Sequence, residues 1–164
     1  MDHYVSRKRL KKLLDYCPEA GIFRWITKPN RNIKIGVIAG SNSHGYISIR
    51  IDGRNHLAHR LAFLYLTGAI PIQVDHINHI RNDNRWINLR PANYQINGKN
   101  LSINRRNKTG VTGVYQDERR GNWYAHIGHN GTTKYLGRFN EKQDAINARK
   151  KALIELNYHH NHGK

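Results

Sequence analysis

Cysteine is nearly missing from this chain: Cys17 is the only one. No disulfide can close within the chain, and no cysteine cage can hold zinc. A lone cysteine reads as a small buried filler, compatible with a reducing compartment. Long apolar runs are missing too. The longest, Leu61 to Leu66, is far too short to span a bilayer. The N-terminus lacks the charged-then-apolar pattern of a signal peptide. These absences lead to the expectation of no membrane partner and a cytoplasmic location. Acidic residues are scarce, with 11 Asp and Glu against 28 Lys and Arg.

What is present is positive charge, a formal +17 in 164 residues. It is spread along the chain. Residues 1–104 carry 16 basic and 6 acidic side chains, and residues 105–164 carry 12 and 5. A field of one sign over both portions favours a polyanion, with nucleic acid ahead of an anionic membrane or a basic scaffold. The length allows one ordinary domain or two small ones with thin cores.

Hydrophobic spacing predicts an amphipathic helix over Val5 to Tyr16, with Leu10, Leu13 and Leu14 as its stripe. A turn at residues 18–21 leads to a strand over Ile22 to Trp25, and residues 27–34 read as a loop. Tyr46 to Ile51 alternates with period two, Asp52-Gly53 signals a turn, and Asn55 to His59 returns. A helix over Arg60 to Thr67 stops at Gly68. Ile72 to His76 is extended, 77–88 is an Asn-rich loop, and Asn88 to Arg90 fits a short strand. Ala92 to Asn104 is expected as a helix weakened by Gly98. The segment 105–109 reads as a linker between a domain at 1–104 and one at 110–158. Strands are expected at Val114 to Asp117, Trp123 to Ile127 and Thr133 to Leu136. A helix over Glu141 to Tyr158 should carry Ala145, Ala148, Ala152 and Leu156 on one stripe. Residues 159–164 are expected to be a disordered tail. The fold class is α+β.

One stretch carries chemistry: Asp75-His76, the loop with Asn78, Asn82, Asp83 and Asn84, then Asn88-Leu89-Arg90 and Asn97. Phosphodiester hydrolysis needs a base to activate water and a cation beside the phosphate. His76 titrates in the right range. Asp75 is a hard oxygen donor for Mg2+ or Mn2+, Asn97 can add a neutral oxygen, and Asn88 can orient the imidazole. In a regular strand, though, Asp75 and His76 point to opposite faces. Rival readings are a plain polar loop, a four-His zinc site from His56, His59, His76 and His79, and Asp83 as a metal ligand.

The pattern Asp75-His76, Asn88-Leu89-Arg90 and Asn97 resembles the HNH endonucleases, in the variant with asparagine in place of the last histidine. This variant is familiar in phage and intron-encoded homing enzymes, so the host cell of a phage or a bacterium is the implied setting. The lead-in His59-Arg60-Leu61-Ala62 and the Gly45-Tyr46 hairpin extend the likeness over about residues 5–104. The resemblance implies a ββα-metal fold (the His-Me finger) acting as a DNA endonuclease, a homing-type nickase among the options. His76 and Asn88 would be catalytic, Asp75 and Asn97 the ligands of Mg2+ or Mn2+. The alternative is a non-catalytic DNA-binding or regulatory protein derived from such a nuclease.

Residues 110–157 resemble the AP2/ERF DNA-binding domain through Thr112-Gly113-Val114-Tyr115, Asn122-Trp123-Tyr124-Ala125-His126-Ile127 and Tyr135-Leu136-Gly137-Arg138-Phe139. That likeness implies a three-stranded sheet against the major groove with a helix on its back. Tyr115, Tyr124, His126 and Tyr135 would face outward, and Arg119 and Arg120 would reach a base edge or the backbone. Arg85, Arg90, Lys99, Arg105, Arg106 and Lys108 are expected on phosphates. The expected partner is double-stranded DNA, bound by a monomer.

Overall fold

The structure is a computed structural model and describes residues 4–164. It divides into two compact units, Met1–Asn93 and Tyr94–Lys164.

The first unit opens with α1, Arg7–Leu13, whose N-cap Ser6 accepts a hydrogen bond from Arg9 N–H. The helix stops earlier than its leucine spacing suggests. Leu14–Cys17 is β1, paired antiparallel with β2, Ile22–Trp25. The reason is a change of period. Leu14 and Tyr16 are buried while Asp15 between them is exposed, and the Tyr16 ring stacks on Phe23 at 4.6 Å between centroids. Strands β3 (Ser41–Ser43), β4 (Tyr46–Ile51) and β5 (Arg54–Leu57) form a second antiparallel sheet with β4 central. Ile49 and Ile51 point from β4 into the core, as the alternation requires. Helix α2, Ala58–Thr67, starts two residues before the predicted start and ends at Gly68 in the left-handed region (φ 83°). Its buried Ala58, Leu61, Ala62, Phe63 and Leu64 join Leu10, Leu14 and Phe23 in one cluster. Each large side chain buried there contributes roughly 1.5–3 kcal/mol. Strands β6 (Gln73–His76) and β7 (Leu89–Ala92) then pair antiparallel, with Asp75 opposite Arg90 and His76 opposite Leu89.

The second unit begins with α3, Tyr94–Gly98. The predicted helix to residue 104 is not formed. Gly98 is a poor helix former, and the backbone beyond it bonds elsewhere. Lys99 and Leu101 carbonyls accept from His159 and Gly163 N–H, and Ile103 N–H donates to Lys164. The tail expected to be disordered is thus hydrogen-bonded to residues 99–103, and residues 94–109 belong to the second unit. Strands β8 (Val114–Asp117), β9 (Asn122–His129) and β10 (Thr132–Phe139) form an antiparallel sheet with β9 central. A bulge between Tyr135 and Gly137 turns Leu136 toward the core of Val114, Ala125 and Ala145. Helix α4, Lys142–Glu155, buries Ala145, Arg149 and Ala152, so the inner stripe runs through Arg149 where the spacing suggested Ala148. Among the described residues no helix is long and apolar enough to cross a membrane.

Candidate functional site

Between β6 and β7, residues 77–88 are a loop only in outline. Asn88 closes it: its backbone carbonyl accepts from Ile77 N–H at 2.9 Å and its side-chain oxygen from Asn78 N–H at 2.9 Å. Asn88 Nδ2 donates to the Asp83 carbonyl at 2.8 Å. Asn78 Nδ2 and the Arg85 guanidinium both donate to the Asp83 carboxylate, at 2.6 Å each to Oδ2. These donors, Arg85 first, hold the Asp83 carboxyl down at about 2. Two bonds tie the loop to the β1–β2 hairpin: Tyr16 O–H to the Asn84 carbonyl (2.6 Å) and Trp86 N–H to the Pro18 carbonyl (2.9 Å). The loop lies so close to that hairpin that a Cβ on Gly21 would sit 2.3 Å from Arg85 N.

His76 is buried under this loop, only 6% exposed. Its Nε2 donates to Asn84 Oδ1 at 3.1 Å. The His59 ring meets it edge-on at 4.9 Å and Tyr46 lies at 6.1 Å. Burial lowers the His76 pKa, opposed by the Asn84 bond and the carboxylates of Asp75 and Asp83. Burial, then the neighbouring His76, pushes His59 down to about 3. The first unit therefore holds a neutral, largely dry pair of imidazoles.

Asp75 stands on the other face of β6, as strand alternation dictates. Its Oδ2 accepts from Arg90 Nε at 2.9 Å and Nη2 at 2.7 Å across the β6–β7 pair. A guanidinium thus occupies the place where a cation would approach this oxygen. Asn97 lies in α3 of the second unit. Among the described residues no group of three or more His, Cys, Asp or Glu side chains could hold a metal ion.

These facts correct the chemistry expected from the sequence. No cluster of His, Cys, Asp or Glu for Mg2+ or Mn2+ is assembled among the described residues, and Asp75 lies in the first unit while Asn97 lies in the second. The residues present do not fit a catalytic metal, and metal-dependent phosphodiester hydrolysis is not supported. The same absence removes the four-His zinc alternative, and the Asp83 carboxylate is engaged by Asn78 and Arg85. The amide bonded to His76 Nε2 is Asn84, while Asn88 braces the loop. By residue type and position Asn84 reads as a loop former. Its burial (2% exposed) sets it apart, and no local spacing encodes that burial.

Residues 56–99 match the sequence model of the HNH endonuclease family. The match begins in β5, takes in α2, the β6–β7 pair and α3, and leaves the second unit's sheet outside it. Searches among curated proteins and among solved structures gave no match. The likeness to HNH nucleases is thus partial, resting on the scaffold around His76.

The expected DNA-contacting residues differ in what they bond, and Lys99 Nζ donates to the Leu156 carbonyl at 2.7 Å. Arg85 and Arg90 are spent on Asp83 and Asp75. Arg105, Arg106, Lys108, Arg119 and Arg120 are exposed and enter none of the ion pairs of the described residues. On the sheet face opposite Ala125 and Ile127, Tyr115 stacks on His126 at 4.7 Å and on Tyr124 at 5.4 Å, and Tyr135 is 59% exposed. Burial and then Arg149 lower the His126 pKa.

Proposed function

We propose that this chain is a non-catalytic, DNA-binding or regulatory protein derived from an HNH-type scaffold. The observation that carries the reading is its unneutralised charge. The described residues form five ion pairs, which leaves most of the 28 Lys and Arg side chains unmatched. Double-stranded DNA is the partner that such a charge and the HNH match together favour. The Asp75–Arg90 pair and the buried His76 account for the loss of hydrolytic chemistry. The β6–β7 pair then serves as a structural hairpin.

In this reading the second unit is an AP2/ERF-like module. Its three antiparallel strands, its helix packed on Val114 and Ala125, and its open face of Tyr115, Tyr124, His126 and Tyr135 support it. Arg105, Arg106, Lys108, Arg119 and Arg120 contact phosphates, with no sequence information of their own. The phenol and imidazole edges supply hydrogen-bonding groups toward base edges. The test is fluorescence anisotropy of a labelled duplex titrated with the protein over a range of salt. Five phosphate contacts give a slope of log K against log salt of about −4.5. Binding that is indifferent to salt, or no binding at low salt, refutes the reading.

A further inference from the structure

The second unit contains a cavity of about 530 Å³ that the DNA-binding reading does not use. Lys99, Gly128, His129, Thr132, Thr133 and Tyr158 are in its wall, and no Asp or Glu among the described residues lines it. Its charge is one-sided. Lys99 Nζ donates to the Leu156 carbonyl at 2.7 Å, which leaves two of its three N–H groups for another acceptor. That ammonium also lies 5.6 Å from the centroid of the Tyr158 ring. The guanidinium of Arg149 lies 5.7 Å from the same centroid and is buried, 3% exposed. Neither cation has a carboxylate partner among the described residues.

A buried guanidinium and a neighbouring ammonium without a counterion raise the potential of any space beside them. Arg149 Nε donates to the Thr112 carbonyl at 3.0 Å and Nη2 lies 3.3 Å from His162 Nε2, but its Nη1 is buried with no hydrogen-bond partner among the described residues. In the wall of the cavity the Thr133 hydroxyl makes no hydrogen bond to the described residues, while the Thr132 hydroxyl is spent on the His129 carbonyl. The space thus offers an ammonium and a hydroxyl to an acceptor-rich anion, with His129 and Tyr158 adding ring surface. Its volume exceeds what a single inorganic ion fills and suits a phosphate carrying an organic group.

We infer that this cavity binds a phosphate ester, with Lys99 and Thr133 as its donors. The ester reaches it either as a free nucleotide or as part of a DNA backbone; only the second source rests on the DNA-binding reading. The test uses the full chain and three calorimetric titrants: inorganic phosphate, adenosine 5′-monophosphate and adenosine. A labelled duplex is titrated in parallel. Lys99→Met and Thr133→Val are compared with wild type, and circular dichroism checks each fold. Thr133 is exposed and braces nothing, so its variant stands if loss of the Leu156 contact unfolds Lys99→Met.

For a free-nucleotide site the monophosphate binds at least about tenfold tighter than adenosine, and both variants weaken it, Lys99→Met by about tenfold. For a backbone site the monophosphate binds weakly, while both variants lower duplex affinity and flatten its salt slope. Monophosphate and duplex affinities that neither variant changes overturn the inference. A wild type that binds no duplex refutes the DNA reading alone and leaves the monophosphate arm to decide this one.

Discussion

Replacing Arg90 by methionine removes the guanidinium that bonds Asp75 Oδ2 at 2.9 and 2.7 Å. The two side chains keep 26% and 13% of their exposure, between a surface pair and a buried one. An exposed pair contributes about 0–1 kcal/mol, and truncating one partner of a buried pair costs about 3–5 kcal/mol. The partial burial places the loss for Arg90→Met at about 2 kcal/mol. The pair spans opposite positions of β6 and β7, so the loss is felt by the hairpin that carries His76. Urea unfolding of wild type, Arg90→Met, Asp75→Asn and the double variant isolates the coupling as a thermodynamic cycle. The same melts with chelator and with millimolar magnesium read out metal binding, because a bound ion raises stability by mass action. A coupling of about 1–2 kcal/mol and melts indifferent to magnesium are expected. A coupling below about 0.5 kcal/mol, or a wild type stabilised by magnesium, refutes the claim that Arg90 takes the cation's place.

Three further outcomes follow from the packing. His59 is held neutral with a pKa near 3 against 6.5 when unfolded. The unfolded chain therefore binds the extra proton, and stability is full above pH 6.5 and falls as the pH drops from there toward 3. Between pH 7 and pH 5 this histidine alone costs about 2 kcal/mol. His59→Phe should flatten the pH dependence of urea melts by that amount; an unchanged dependence contradicts the burial argument. Gly21 has φ +69° and no room for a Cβ beside the Asn84–Arg85 backbone, so Gly21→Ala should lose at least about 2 kcal/mol through strain and displacement of the loop. Deleting residues 159–164 removes the bonds to Lys99, Leu101 and Ile103. Amide exchange at Ile103 should then rise at least about tenfold; unaltered protection would show that the tail holds nothing.

The parts of the fold governed by local spacing were legible in the sequence. Ile49 and Ile51 alternate into the core, Gly68 ends α2, and the second unit's three strands and helix fall where alternation and turn glycines put them. What was not legible depends on contacts distant in sequence. Leu14 and Tyr16 fit a helix stripe as well as a strand face, and pairing with Phe23 and Trp25 decides for the strand. Arg149 sits among alanines at helical spacing, and only the Thr112 carbonyl and the Tyr158 ring explain its burial. The site shows the same division. Asp75, His76 and Asn88 stand out as residue types, and the family likeness around them is real over residues 56–99. Their employment is set by partners: Arg90 on Asp75, Asn84 on His76, Asp83 on Asn88. A motif names the side chains but not what they are bonded to.

The central claim, DNA binding without hydrolysis, is tested most directly on supercoiled plasmid. Wild-type protein is incubated with the plasmid and magnesium, and half of each sample is deproteinised before electrophoresis. The account predicts retarded plasmid in the untreated half and wholly supercoiled plasmid in the other. Nicked or linear product that is formed by wild type and lost in His76→Ala would contradict it.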